Sequence, residues 1–434
     1  LAKFNKTDSV GIIGAGISGL TAAYKLSKQG VAVTLFEKQN YIGGQMAAID
    51  IEGTLLEVFY HHTFPSDHSL WGLCKELDLL DKVKWLESKI GYFTEEGLFE
   101  FGTPLSLLKF KPLSFFDRIR FGLSVLKLKS INNIEYTKKF TAEEWFVAHA
   151  GERVWNVIWK PLFQLKYGDV YNQISLTWIW DKLRIRGNSR DQGGLKEKLA
   201  YLEGSYFLIC KRLEEEILKN NVKILKNTTI EKIEKQDNEF LLHTNIGTQK
   251  FDKVFSTTSS EIMKNLYNFS ESYNKKLSDL KYCAVICVIL VSKKPLSEFY
   301  WMNIGDQSLP FGGIIEQTNF YDKSHYNDKH IIYLSRYLNP DNDYYNYSNE
   351  QILDLFYVGL KKINPEFNEN WIEDAKVFKH KYAQPIVKKD YVVPEIETEV
   401  EGLYWLSTHH NYPHDRGINY SIELALEFSD LYGK

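Results

Sequence analysis

Residues 10 to 37 constrain what this chain can fold into more than any other stretch. Val10 to Ile13 is a short apolar run and Gly14-Ala15-Gly16-Ile17-Ser18-Gly19 follows it. Leu20 to Gln29 then has helical periodicity that Gly30 stops, and Val31 to Phe36 is a second apolar run that ends at Glu37. This order predicts a β-α-β unit. Within it Gly14 permits a tight turn, Gly16 lets backbone approach a phosphate, and Gly19 lets the helix pack on the strand. A pyrophosphate is then held at a helix N-terminus by free N–H groups and the helix dipole. Glu37 lies eighteen residues past Gly19, where a carboxylate accepts from ribose hydroxyls, with Lys38 beside it. Acidic character there disfavours a 2′-phosphate. A glycine motif by itself fits an ordinary turn equally well; strand, helix and distal acid together favour a dinucleotide.

The chain has 434 residues, enough for two domains. With 53 Lys+Arg against 56 Asp+Glu it lacks the basic excess of a general nucleic-acid binder, so no nucleic-acid partner is expected. Aromatic residues make up 15% of it, which suits a large pocket for a planar or glycosidic ligand as well as an ordinary core. Cys74, Cys210, Cys283 and Cys287 form no Cys-x-x-Cys. Neither a metal site nor a disulfide framework is therefore predicted, and reduced thiols suit the cytoplasm. The longest apolar run, Tyr282 to Val291, falls far short of the roughly 20 residues of a membrane span. The N-terminal apolar residues read as a strand and not as a signal peptide.

Beyond the first unit the pattern stops being a simple βα series. Lys111 to Lys129 is apolar and basic, and Glu143 to Trp180 is Trp-rich and helical, which reads as an inserted domain. Gly204 to Lys219 is helical again. Val222 to Leu225, Thr229 to Ile233, Glu239 to Thr244 and Lys250 to Thr257 read as strands, a meander closing back on the nucleotide unit. Strands at Tyr282 to Val291 and Lys329 to Tyr337, a tyrosine-rich surface loop at 339–349, a helix at Ser348 to Ile363, a strand at Leu403 to Ser407 and a helix at Tyr420 to Leu431 complete the reading.

Just past Glu37 stands Gly43-Gly44-Gln45. This resembles the flavin amine oxidase, protoporphyrinogen oxidase and phytoene desaturase superfamily, whose acidic residue is followed by a Gly-Gly-Arg loop under the FAD phosphates. Gln45 replaces that arginine and removes one charge contact. Gly402-Leu403-Tyr404-Trp405-Leu406 and Tyr412-Pro413-His414-Asp415-Arg416-Gly417-Ile418-Asn419-Tyr420 resemble the superfamily's closing strand, turn and helix. The resemblance implies FAD as cofactor, with Asp415, Arg416 and Asn419 at its flavin or ribityl end and Ile230 against the adenine. An N-capped surface helix is the alternative for the closing motif. The implied fold class is α/β, a Rossmann-type FAD-binding domain (1–95, 201–262 and 396–434) interleaved with an α+β substrate domain (96–200 and 263–395).

For the substrate end, Glu57 to Thr63 resembles the aromatic, His-rich segment that UDP-galactopyranose mutases place against the isoalloxazine. His61 and His62 are thus candidate catalytic groups, facing opposite ways if the segment is a strand; each also reads as a satisfied core imidazole. Arg184 and Arg186, with Lys182 and Arg190 nearby, form an anion fork if extended, and Arg336 is a further candidate catalytic cation. A salt-bridged, solvated face fits the same residues. Trp145 to Tyr167 is similar to the mutase substrate helix, making Trp159 and Tyr167 candidate substrate contacts, whereas Trp155, Trp159, Trp178 and Trp180 also read as core. The chain resembles in particular a bacterial group of protoporphyrinogen-oxidase-like proteins associated with surface-glycan or polyprenyl-glycolipid synthesis. That resemblance implies a flavin that accepts a hydride from a sugar-nucleotide or isoprenoid-linked substrate; a mutase-like isomerase using reduced FAD, and FAD as a purely structural ligand, are the other readings. Finally, Leu105 to Lys129 interleaves Phe110, Phe115, Phe116 and Phe121 with Lys109, Lys111, Arg118, Arg120, Lys127 and Lys129. Such a stretch can rest on a membrane surface, or be a substrate-domain helix with a solvated basic face.

Overall fold

The computed structural model describes residues 8–189 and 197–432; Arg190 lies outside them. The β-α-β unit forms as strand Ser9–Ile13, helix Ile17–Lys28 and strand Ala32–Phe36. The two strands pair in parallel, with Val10 opposite Val33. They are the middle of an all-parallel sheet completed by Lys223–Leu225, Lys253–Ser256 and Leu403–Trp405. Its strands are apolar on successive residues because both faces are covered. Val10, Ile12, Leu35, Phe255 and Tyr404 pack under the helices Ile17–Lys28, Phe207–Lys219 and Ile418–Tyr432. Ile13, Phe36, Val254, Leu403 and Trp405 pack on the other side against the antiparallel sheet Ile230–Gln236, Glu239–Thr244 and Gly247–Phe251. The expected meander thus splits near Asp252, its last piece joining the parallel sheet.

A second, seven-stranded sheet runs in the order Ile372–Pro385, Tyr282–Ser292, His330–Leu338, Gly313–Glu316, Trp301–Ile304, Ile90–Thr94, Gly97–Glu100. Alternate residues of its central strands, such as Ile286, Val288, Ile332 and Leu334, bury against helix Asn349–Ile363. The 14-residue strand Ile372–Pro385 was not foreseen, since Ile372, Ala375 and Val377, which pack on this core, are separated by charged residues and Phe378 next to them packs on the opposite side. Ile90–Thr94 pairs with Trp301–Ile304, so the chain leaves the nucleotide unit before residue 90, ahead of the expected boundary at 95.

The inserted segment is helical: Pro104–Lys109, Phe115–Ser130, Ala142–Ala150, Lys160–Tyr167 and Leu176–Asn188, with a π turn at Trp155–Trp159. Trp145, Trp155, Trp159, Trp178 and Trp180 are all buried in its core, each large apolar side chain being worth about 1.5–3 kcal/mol there. The architecture is α/β, a Rossmann-type nucleotide-binding fold interleaved with an α+β part. The four cysteines are buried and unbridged, and burial pushes the Cys74 and Cys210 thiols up to about 12. No group of metal-ligating side chains occurs among the described residues, and none of their helices is long and apolar enough to cross a membrane.

Candidate active site

A single cavity of about 1810 Å³ runs between the two sheets and the inserted helices, well above the roughly 300–1,000 Å³ of ordinary ligand pockets. One end is the glycine loop. Gly14 has φ +102°, and a Cβ on Gly19 would lie 2.0 Å from the Gly14 carbonyl oxygen. The helix can therefore approach the strand only without that atom. Gly16 is the N-cap and has no side chain to cap the helix, and no acidic residue occupies the first turn. The first amides are left for an anion.

The glycine doublet closes over this loop: the Gly43 N–H donates to the Ala15 carbonyl at 2.8 Å, and a Cβ on Gly44 would reach within 3.2 Å of the Gly16 Cα. Glu37 ties the second strand to the same loop, accepting from Ala15 N–H at 2.9 Å and from Gln39 N–H at 2.8 Å. Gly14, Gly16, Ile17, Ser18, Glu37, Lys38, Gly43, Gly44, Gln45 and Ile230 all line this end of the cavity. An uncapped helix start, a cradle that admits no Cβ and a carboxylate at the strand end fit a dinucleotide. FAD bound here would be held by these groups.

The cavity then reaches the turn and start of the closing helix, where Asp415, Arg416 and Asn419 line it. Asp415 takes four donors: Lys182 Nζ at 2.7 Å, Gln384 Nε2 at 2.8 Å, Trp178 Nε1 at 3.1 Å and Arg416 N–H at 3.0 Å. Burial alone would raise its carboxyl, but the charges of Lys182, Lys166 and Arg416 outweigh that and hold it below the ordinary carboxylate range. Arg416 donates to Gln45 Oε1 at 2.9 Å, to the Ala383 carbonyl at 2.8 Å and to the Tyr337 hydroxyl. Gln45, where the resembling superfamily has arginine, thus brings a guanidinium from the closing motif to the glycine doublet. Asn419 Oδ1 accepts from Leu70 N–H at 3.0 Å, fixing the start of the closing helix.

His61 and His62 both border the cavity from irregular chain and not from a strand, so they do not face opposite ways as a strand would require. His61 Nε2 meets the Gln45 carbonyl oxygen at 3.1 Å, and His62 stands edge-on to Trp301, with ring centroids 5.4 Å apart. Burial pushes their imidazoles down to about 4 and about 3, leaving both neutral at pH 7.

Trp159 and Tyr167 line the cavity too, but the basic fork does not form. Arg184 and Arg186 sit on helix Leu176–Asn188, where residues two apart project in nearly opposite directions. Arg184 lies over Trp180, 4.6 Å from the ring centroid, away from the cavity lining. Arg186 lines it together with Lys182, four residues earlier, and has Glu197 3.9 Å away. Arg336 is also misplaced as a catalytic group. On strand His330–Leu338 its neighbours Ser335 and Tyr337 face the cavity, so strand alternation turns Arg336 to the opposite face, over Tyr344 at 4.6 Å. Lys166, Tyr337 and Trp301 line the site unforeseen. The Lys166-Tyr167-Gly168 helix end was a visible signal, but only for Tyr167.

The sequence model of the family described as flavin containing amine oxidoreductase matches residues 17–414. Among curated proteins, the mitochondrial protoporphyrinogen oxidase of Nicotiana tabacum is 24% identical over 52% of this chain, and the chain spans 51% of that relative. Among solved structures, a protein of Exiguobacterium sp. 255-15 named as a candidate protoporphyrinogen oxidase superposes with a TM-score of 0.80 at 16% identity, covering 98% of this chain and 99% of that one. Reduced UDP-galactopyranose mutase superposes with a TM-score of 0.76 at 16% identity, covering 98% and 95%. The two likenesses are of fold. Since the family match spans residues 17–414, all of the chain but its two ends, the chain belongs to the flavin containing amine oxidoreductases, FAD-dependent enzymes, and its cofactor is FAD.

Proposed function

We propose that the protein is an oxidoreductase that oxidises a C–N or C–C bond of an amphiphilic substrate, a sugar nucleotide or a polyprenyl-linked glycan precursor, a hydride leaving a C–H carbon of that bond and a proton leaving its neighbour. The observation that carries this is the polarity of this cavity. From His61, His62, Lys166, Lys182 and Arg186 it passes to Leu107, Phe121, Val125 and Leu126 on the helices Pro104–Lys109 and Phe115–Ser130. A cationic end and an apolar end suit a substrate with an anionic head and a greasy tail. FAD supplies the hydride acceptor when bound. The chain's own part is to bind, orient and keep out water: the cations draw the head, the neutral imidazoles offer hydrogen bonds without adding charge, and the apolar end takes the tail. The test is anaerobic mixing of the FAD-loaded protein with polyprenyl-phosphate sugars and sugar nucleotides. Bleaching of the flavin band near about 450 nm, reversed by oxygen or another acceptor, is expected. No bleaching by any of them, with turnover of UDP-galactose to a ring-contracted product after reduction by dithionite and no oxygen uptake, would establish the mutase-like reading, which the cations at the head end favour.

The same helices supply a membrane contact in this proposal, for a cytoplasmic protein working at the inner membrane face. Their outer side exposes Leu105, Leu108, Phe115, Phe116, Ile119 and Leu123, with Phe116 78% and Leu123 60% exposed. Soluble monomers rarely expose that much contiguous apolar surface. Lys109, Lys111 and Lys127 are exposed in the same segment and suit anionic headgroups. Wild type is expected to float with phosphatidylglycerol vesicles, and a triple variant, Phe116→Ser, Ile119→Ser and Leu123→Ser, to stay with the soluble fraction. Wild type wholly unbound removes the contact.

A further inference from the structure

We propose that Lys166 is an oxyanion-binding residue of the substrate pocket, the group that takes the phosphate or carboxylate of the incoming molecule. This rests on the oxidoreductase reading only for the identity of the pocket. Lys166 is the penultimate residue of helix Lys160–Tyr167 and lines the cavity. Its ammonium nitrogen sits 4.7 Å from the ring centroid of Trp178, 5.1 Å from Tyr337 and 5.5 Å from Tyr167. Three ring faces hold the side chain in place and accept a cation, but they supply no counter-charge.

Charge accounting around it is unbalanced. Beside the Lys166 amine, Lys182 and Arg416 bring two cations to this wall of the cavity, and Asp415 is the carboxylate between them. That carboxylate is already committed to Lys182, Trp178, Gln384 and the Arg416 amide. The Arg416 guanidinium spends its donors on neutral acceptors, Gln45, the Ala383 carbonyl and Tyr337. Among the described residues no carboxylate forms an ion pair with Lys166. Burial, followed by the charge on Lys182, accordingly drives its amine well below the usual lysine range. A buried amine short of a counter-ion gains most when an anion arrives: the oxyanion restores its proton and fills the charge deficit left by the fixed groups. Arg186 differs, since it already has Glu197 within 3.9 Å. Lys166 is thus poised for a ligand from outside the chain.

The experiment titrates the FAD-loaded protein with inorganic pyrophosphate and, separately, with succinate, following binding by calorimetry and by perturbation of the flavin absorbance. Pyrophosphate binding alone identifies a phosphate head, and succinate binding alone a carboxylate. Lys166→Met should weaken the preferred probe by about tenfold to a hundredfold, as for loss of a charge-assisted hydrogen bond, with FAD content unchanged. Lys166→Arg should keep most of the affinity, and Lys166→Gln serves if the methionine variant does not fold. Arg336→Met, on the far face of the sheet, should bind the probe as wild type does. Equal binding by wild type and the neutral variants, no binding of either probe by wild type, or loss of FAD from the neutral variants would each overturn the assignment, the last by making Lys166 a cofactor contact. A failure of flavin reduction by every substrate, with probe binding intact, would instead count against the oxidoreductase reading.

Discussion

Replacing Gly19 by alanine is expected to leave the protein without FAD, whereas Gly72→Ala should load normally. A single Cβ at Gly19 would stand 2.0 Å from the Gly14 oxygen and 3.2 Å from the Gly14 carbonyl carbon. Both are backbone atoms, so no side-chain rotation can relieve the overlap, and Gly14 is already at φ +102°. Helix Ile17–Lys28 would have to lift from strand Ser9–Ile13, carrying its free amides away from the phosphates. Overpacking of this kind costs about 1–3 kcal/mol of stability, and displaced amides should cost at least about a hundredfold in FAD affinity, roughly 2.7 kcal/mol. Gly72, inside helix His68–Glu76, has open space where a Cβ would go. Alanine there should be neutral or stabilising by about 0.5–1 kcal/mol. Flavin-to-protein ratio and quenching of FAD fluorescence on titration measure the difference. A Gly19→Ala protein with wild-type affinity would mean that the pyrophosphate is held elsewhere.

Asp415→Asn should be the most destabilising single polar change in the cavity wall. It keeps the shape and an acceptor for Trp178 and Gln384, but it leaves Lys182 and Arg416 without their shared anion and turns an amide donor towards the Lys182 ammonium. Breaking a fully buried pair costs about 3–5 kcal/mol; with Lys182 31% and Asp415 22% exposed the loss should be smaller than that, but the midpoint of urea unfolding should still fall below that of wild type. Saturating pyrophosphate should recover part of the loss, because it binds the folded state and offsets the same charge. The sign with pH follows from a carboxyl held low in the folded protein. Its contribution is complete above the unfolded value of about 3.9 and is lost as pH falls through the lower folded one. The gap between wild type and variant should therefore persist from pH 5 to 8 and narrow only in strong acid. Equal midpoints at neutral pH would show the cluster to be balanced by something other than Asp415.

The nucleotide half was legible because its signals are local. A turn, a helix start and an acidic strand end lie within the 24 residues from Gly14 to Glu37, and each is dictated by backbone geometry at named positions. The closing motif was legible for the same reason, as a strand, a turn and a helix start in succession. The substrate half was read less well. Arg184 and Arg186 look like a fork only if their segment is extended, and whether it is extended depends on packing of Trp178, Ile179 and Trp180 in a helical core built from residues dozens of positions away. Arg336 was misjudged because strand alternation gives two faces without saying which one borders the cavity. Lys166 could not be singled out from the other lysines, since its environment comes from Trp178, Tyr337 and Asp415, on three separate elements.

By itself, then, the sequence determined the β-α-β unit, the glycine loop, the acidic strand end, the closing helix and the interleaving of two domains. These depend on which backbone conformations Gly14, Gly19 and their neighbours allow and on apolar periodicity, both properties of contiguous residues. Tertiary structure alone decided which charged side chains meet. Asp415, Lys182, Lys166 and Arg416 assemble only when the closing turn docks against the inserted helices, and the exposed apolar face of Phe115–Ser130 is defined only by what fails to cover it. Electrostatic pairing and exposure depend on distances through space, and those distances do not exist until the chain has packed.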